Sequence, residues 1–276
     1  MALRMGVASR DSLAEAIRGL DQFIDRARAT DLDTVADELF AVTELLDREA
    51  VLRRALADPA TDADRREQLL VSVLGSRLDP RTMELLRSVV RSRWSEPRDL
   101  VDALEILGQR AALGMAERSG TLDEVEDELF RFGRIIDAEP RLGLLLEDPA
   151  APPDRRADLL DRLIGGRVNP ATRKLLEQAV RSPRGRTLDR AVTELVELAA
   201  ARRQRYVAYV MAPAPLSDRQ EERLIATLAR VYGRQVSLKV TVDPDLLGGL
   251  VVRVNDEVVD GSVASRLAQV RQRLAG

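Results

Sequence analysis

A stretch of about sixty residues occurs twice in this chain. Leu32–Ser92 aligns without a gap on Leu122–Ser182, and about 28 of the 61 aligned pairs are identical. A composition rich in Leu, Arg, Ala and Asp does not produce such a match by chance. Self-similarity at one fixed offset marks a structural unit used twice. The anchors are LDxVxDELF (Leu32–Phe40, Leu122–Phe130), DPA (Asp58–Ala60, Asp148–Ala150) and DRRxxLL (Asp64–Leu70, Asp154–Leu160). GxRxxPxT (Gly75–Thr82, Gly165–Thr172) and VRS (Val90–Ser92, Val180–Ser182) follow.

Within each copy the apolar residues recur at helical spacing. Val35, Leu39, Val42 and Leu46 form one stripe, repeated as Val125, Leu129, Phe132 and Ile136. Leu52 and Leu56, with Leu142 and Leu146, mark a short helix. It must stop before Pro59 or Pro149, because the residue before proline is pushed out of helical geometry. A further helix carries Leu69, Leu70, Val73 and Leu74 and is expected to end on Gly75 as a left-handed cap. Asp79-Pro80 and Asn169-Pro170 each pair an N-cap with proline at the first helical position. They open helices bearing Leu85, Leu86, Val89 and Val90, and Leu175, Leu176, Ala179 and Val180. A helix capped by Ser9 or Asp11 and running to about Ala27 precedes copy one; Arg98–Arg118 follows it, and Thr187–Arg203 follows copy two. By spacing, Arg98–Arg118 stands to copy two as the first helix stands to copy one. It is therefore expected to close one bundle and open the next, a stiff join that proteases spare while cutting near Ser119-Gly120.

After Arg203 the period changes. Tyr206–Ala212 is a continuous apolar run, expected as a buried strand. Ser217–Gln220 reads as a capping box for a helix with Leu224, Leu228 and Val231, ended by Gly233. Val236, Leu238, Val240 and Val242 alternate with polar residues as a half-buried strand. Leu250–Val254 and Glu257–Asp260 form a hairpin across Asn255-Asp256, and Ser262 caps a last helix with Val263, Leu267, Val270 and Leu274. The expected fold class is α+β: an all-α bundle over 1–98, its repeat over 99–204, and a small C-terminal α/β domain over 205–276.

Composition removes most chemistry. The 276 residues include no Cys and no His, hence no disulfide, thiolate nucleophile, imidazole base or soft metal ligand. Lys+Arg 43 against Asp+Glu 46 leaves a net charge of −3 with both signs interspersed, not the basic face that nucleic acid requires. No run of about 20 apolar residues could span a bilayer, and Met1–Asp11 lacks the apolar core of a signal peptide. A membrane is therefore reached only through partners. Carboxylate clusters such as Glu126–Glu128 read as solvated charge on a polar helix face. Asp64-Arg65-Arg66 and Asp154-Arg155-Arg156 read as an acid beside surface arginines early in a helix rather than as an anion site. Gly165-Gly166 and Gly248-Gly249 are glycine pairs without the spacing of a phosphate-cradling loop. Trp94 reads as a packing anchor. No catalytic residue, cofactor or metal site is expected, whereas a bundle of short amphipathic helices leaves grooves for a partner helix.

The run Val240–Asn255, in which Asp243-Pro244 and Gly248-Gly249 lead into a strand, is followed by Asp260–Val263 with Gly261. It resembles the signature of the delta subunit of bacterial F-type ATP synthases, whose mitochondrial counterpart is the oligomycin-sensitivity-conferring protein. Ala214–Ser217 before a helix fits the same family, and the resemblance covers nearly the whole chain. It implies a non-catalytic stator piece, peripheral at the cytoplasmic face of the cell membrane, with Asp243, Pro244, Gly248, Gly249 and Gly261 as its structural motif. On that resemblance the helical domain takes up N-terminal helices of the F1 alpha subunits. The C-terminal domain meets the C-terminal end of the b subunit, and the joint keeps the head from turning with the rotor. The family pattern has one helical domain, so the duplication looks like its longer form. The family's groove lies between the first and fifth helices. Here that points to Ser9–Ala27 with Pro80–Arg91, or to Arg98–Arg118 with Pro170–Arg181. The helical repeat taken alone would also suit an adaptor in an unrelated complex.

Overall fold

The computed structural model describes residues 5–204, 207–232, 236–244, 246, 248–254 and 257–260. Gly233, the Asn255-Asp256 turn, Gly261 and the helix expected from Ser262 lie outside the described residues. The helical part comprises α1 (Val7–Ile24), α2 (Ala29–Arg48), α3 (Ala50–Ala57), α4 (Ala63–Leu74), α5 (Pro80–Arg91), α6 (Pro97–Arg118), α7 (Leu122–Ala138), α8 (Pro140–Glu147), α9 (Pro153–Ile164), α10 (Pro170–Arg181) and α11 (Leu188–Gln204). Then come β1 (Val207–Ala212), α12 (Asp218–Tyr232), β2 (Ser237–Val242), β3 (Val251–Val254) and β4 (Glu257–Asp260). The chain divides into one compact unit through Ala199 and a second from Ala200.

The repeat anchors owe their recurrence to local hydrogen bonding. Asp58 and Asp148 close Asx turns by accepting the Ala60 and Ala150 amides at 3.0 and 2.9 Å. Glu38 of α2 accepts the Asp79 amide at 2.9 and 3.1 Å, and Glu128 of α7 accepts the Asn169 amide at 3.0 and 2.9 Å. Each carboxylate thus satisfies an amide at the start of the helix that proline opens. Arg66 is buried, not on the surface: its guanidinium donates to the Ser92 and Arg91 carbonyls at 2.9 and 3.1 Å. Arg156 donates likewise to Arg181 at 3.2 Å. The second arginine of each DRR block therefore neutralises the carbonyl end of the next helix, α5 or α10. Burial holds the Arg66 pKa below its ordinary value.

Two further expectations are corrected. Ser9 does not cap α1; it is buried, donates to Asp99 at 2.6 Å and accepts the Ser95 amide at 2.7 Å, tying α1 to the start of α6. Gly75 is right-handed (φ −58°), and its amide bonds the Val71 carbonyl at 2.8 Å, continuing the α4 pattern by one residue. The left-handed cap occurs at its counterpart Gly165 (φ 49°). Trp94 is buried and donates to the Val89 carbonyl at 2.9 Å.

The centre of the helical unit is α6. α1 begins at Val7, α6 at Pro97 and α11 at Leu188, so α6 holds the last place in copy one and the first in copy two. Fourteen of its 22 residues are buried, leaving no broad solvent stripe. It packs against α1, α2 and α3 on one side and α7 and α10 on the other. Two glycines permit this crowding: a Cβ at Gly108 would lie 2.6 Å from the Phe40 ring, and one at Gly114 3.0 Å from Ile24. A single apolar cluster consequently runs from Met5 to Ala199. The expected boundary at 98/99 falls in the first turn of the shared helix.

In the second unit β1 pairs parallel with β2 and antiparallel with β3, which forms a hairpin with β4, giving the order β2-β1-β3-β4. Ala208, Val210, Val252 and Val254 share one face and pack with Leu224 and Leu228 of α12. β1 was expected to be buried throughout. Instead Tyr209 and Met211 point to the opposite face and are 38% and 41% exposed, because successive strand residues alternate sides. On that face Lys239 and Arg253 flank the Tyr209 ring at 5.7 and 5.4 Å, within cation–π range.

Candidate functional site

Two helix pairs occupy the positions where a partner helix was expected, and they differ in access. In copy two, α6 and α10 pack together with α7 against them on one side. α2 of copy one lies along the other side. Its Phe40 ring sits on Gly108 of α6, and Lys174 of α10 pairs with Asp33 at 2.9 Å and with Asp37. The α6/α10 groove is filled by the chain itself.

In copy one, α1 and α5 form the corresponding pair. The repeat offset places Arg18 where α6 has Gly108, and Glu84 where α10 has Lys174. Arg18 and Glu84 are both exposed, as are Ala14 and Gly19, while Ile17 and Leu85 are half-buried between them. Nothing lies within 4 Å of a Cβ built on Gly19. This groove is open.

A charge network ties α6 to the loop that follows α10. Glu105 of α6, 0% exposed, accepts from Arg184 at 2.8 Å and from Arg186 in the loop between α10 and α11. Arg184 also pairs with Asp102, and Arg186 with Glu194 at 3.2 Å. Arg184 holds a left-handed backbone (φ 51°), a conformation unusual outside glycine that its ion pairs keep in place. Copy one has Trp94 and Glu96 at the matching positions, so this network is not part of the repeat. Sequence reading passed over Glu105, Arg184 and Arg186 altogether. Lys174 and Lys239 are the two lysines of the sequence, a compositional fact that points to no role.

Of the motif residues, Asp243, Pro244, Gly248 and Gly249 sit in the turn from β2 to β3. The Asp243 amide donates to Ala212 at 2.8 Å, Leu246 to Asp243 at 3.2 Å, and Gly248 to Leu246 at 2.8 Å. Gly248 and Gly249 both have positive φ, 68° and 80°, a conformation that a side chain disfavours by about 1–2 kcal/mol per residue. Pro244 is exposed in the same turn. Gly249→Val is accordingly expected to lower the stability of the C-terminal unit by about 1–3 kcal/mol. All three tyrosines lie beyond residue 205 and the one Trp lies in the helical unit. Thermal unfolding followed by tyrosine signal should therefore shift downward while the Trp94 signal holds; an unmoved tyrosine transition would refute the assignment of strain to this turn. Among the described residues, no three or more acidic side chains come together as a metal-ion cluster.

Comparison with known proteins covers both units. The family model for the ATP synthase delta (OSCP) subunit matches residues 23–105 and 109–274. The chain is similar to the ATP synthase subunit delta of Streptomyces griseus, 46% identical over 272 residues, which is 99% of this chain and 100% of that one. It is 44% identical over 268 residues to the subunit delta of Thermobifida fusca, covering 97% of this chain and 98% of the relative.

Proposed function

Since the chain belongs to the ATP synthase delta (OSCP) subunit family, we propose that it is a non-catalytic stator subunit of the F1Fo ATP synthase. In this reading the helical unit holds the N-terminal helix of an F1 alpha subunit in a bundle groove. The C-terminal unit, with the turn built on Asp243, Pro244, Gly248 and Gly249, meets the C-terminal end of the b subunit. The chain sits peripherally at the cytoplasmic face of the membrane, and no described helix is long and apolar enough to cross one. The observation that carries the reading is α6. A stator must bear torque without yielding, and two copies joined by a shared, buried helix and one continuous core have no separate surfaces on which to hinge.

The test is a titration of the purified chain against F1 head from the same organism stripped of this subunit, read as mass and stoichiometry by sedimentation. Saturation at one chain per head, lost when the alpha-subunit N-termini are removed, is the expected result. No binding at micromolar concentration would reject the stator role in favour of an adaptor for some other complex.

A further inference from the structure

We infer that the duplication leaves this chain with a single open partner groove, α1/α5, and that the groove of copy two is filled by α2 of copy one as a built-in occupant; the inference rests on the stator reading above. The filled groove displays the chemistry such a groove takes. α2 is amphipathic, sets Phe40 on the glycine of α6 and presents Asp33 and Asp37 to Lys174. In the open groove an acid, Glu84, stands where Lys174 stands, and Arg18 stands where Gly108 stands; both are exposed. Glu84 is exposed, and Ala14 and Gly19 leave room for close approach of a second backbone. The occupant is therefore an amphipathic helix that offers a basic residue to Glu84, where α2 offers acids to Lys174. On the stator reading this is the N-terminal helix of one alpha subunit. Each chain takes one such helix, and the second copy serves to extend and stiffen the unit.

The test uses the full chain and a synthetic peptide of the alpha subunit's N-terminal helix from the same organism, with calorimetric titration, alongside the stripped-head titration. One peptide per chain is expected. Gly19→Trp and Glu84→Lys are each expected to weaken peptide binding about tenfold or more. Both sites are exposed, so the variants should keep the wild-type unfolding transition. Lys174→Glu is expected to leave peptide affinity and stoichiometry unchanged. Two peptides per chain would overturn the inference, as would affinity indifferent to Gly19→Trp and Glu84→Lys while head binding stays intact. Loss of head binding by the wild-type chain would instead remove the stator reading, and this inference with it.

Discussion

Glu105→Ala is expected to destabilise the helical unit by about 3–5 kcal/mol, the loss typical of breaking a buried ion pair from one side. Its carboxylate is fully buried and faces two guanidiniums, Arg184 and Arg186. Removing it leaves two cations short of their central counter-ion in a poorly solvated place. Burial lowers the Arg186 pKa, but Glu105 and Glu194 outweigh it and raise the pKa above its ordinary value. Replacing the three residues together, Glu105→Leu with Arg184→Met and Arg186→Met, should cost far less than the single change. Apolar side chains of similar volume need no partner. Urea unfolding followed by Trp94 fluorescence reads this directly, since the chain's one Trp is in the helical unit. An unchanged midpoint for Glu105→Ala, or a triple variant worse than the single, would contradict the network's assigned role.

Gly108→Leu is expected to cost about 1–3 kcal/mol through overpacking, despite the better helix propensity of leucine. The new Cβ would start 2.6 Å from the Phe40 ring, and neither helix can retreat because α6 is packed on both sides. The chain itself contains the compensated version. Copy two has Leu198 at the matching position, and its Phe130 is 56% exposed where Phe40 is 6% exposed. Phe40→Ala in the Gly108→Leu background should therefore restore part of the loss, a non-additivity that a double-mutant cycle measures. Strict additivity of the two changes would show that the ring and the glycine do not share one slot.

Helix boundaries were legible from sequence because their causes are local. Pro80 and Pro170 open α5 and α10, as read. The apolar stripes of α2 and α7 are buried at Val35, Leu39, Val42 and Leu46, and at Val125, Leu129, Phe132 and Ile136, since a 3.6-residue period maps directly onto one helix face. The two-copy plan followed from the repeat alone, and the role of α6 as last helix of one bundle and first of the next followed from its spacing. Polar residues escaped the same reading. Ser9 and Arg66 read as a cap and a surface cation, and Glu105 carries no signal at all, yet all three are buried. Their partners lie 90, 26 and 79 positions away, beyond any local pattern.

What the sequence by itself determined, then, was the inventory: two homologous sets of helices, a period change after Arg203, and the glycine pair that the turn at Gly248-Gly249 requires. Only the tertiary structure decided which surfaces remain available. A helix period marks one apolar face, but α6 is buried on two, and sequence does not say which copy claims which side. The α2 stripe, read locally, is core. Folded, the same helix also closes the α6/α10 groove, because Asp33 and Asp37 on its polar side meet Lys174, more than 130 residues away in the chain. Open and filled grooves repeat one apolar pattern; their exposed residues differ at Arg18 against Gly108 and Glu84 against Lys174, but what packs across them depends on contacts between segments distant in the chain.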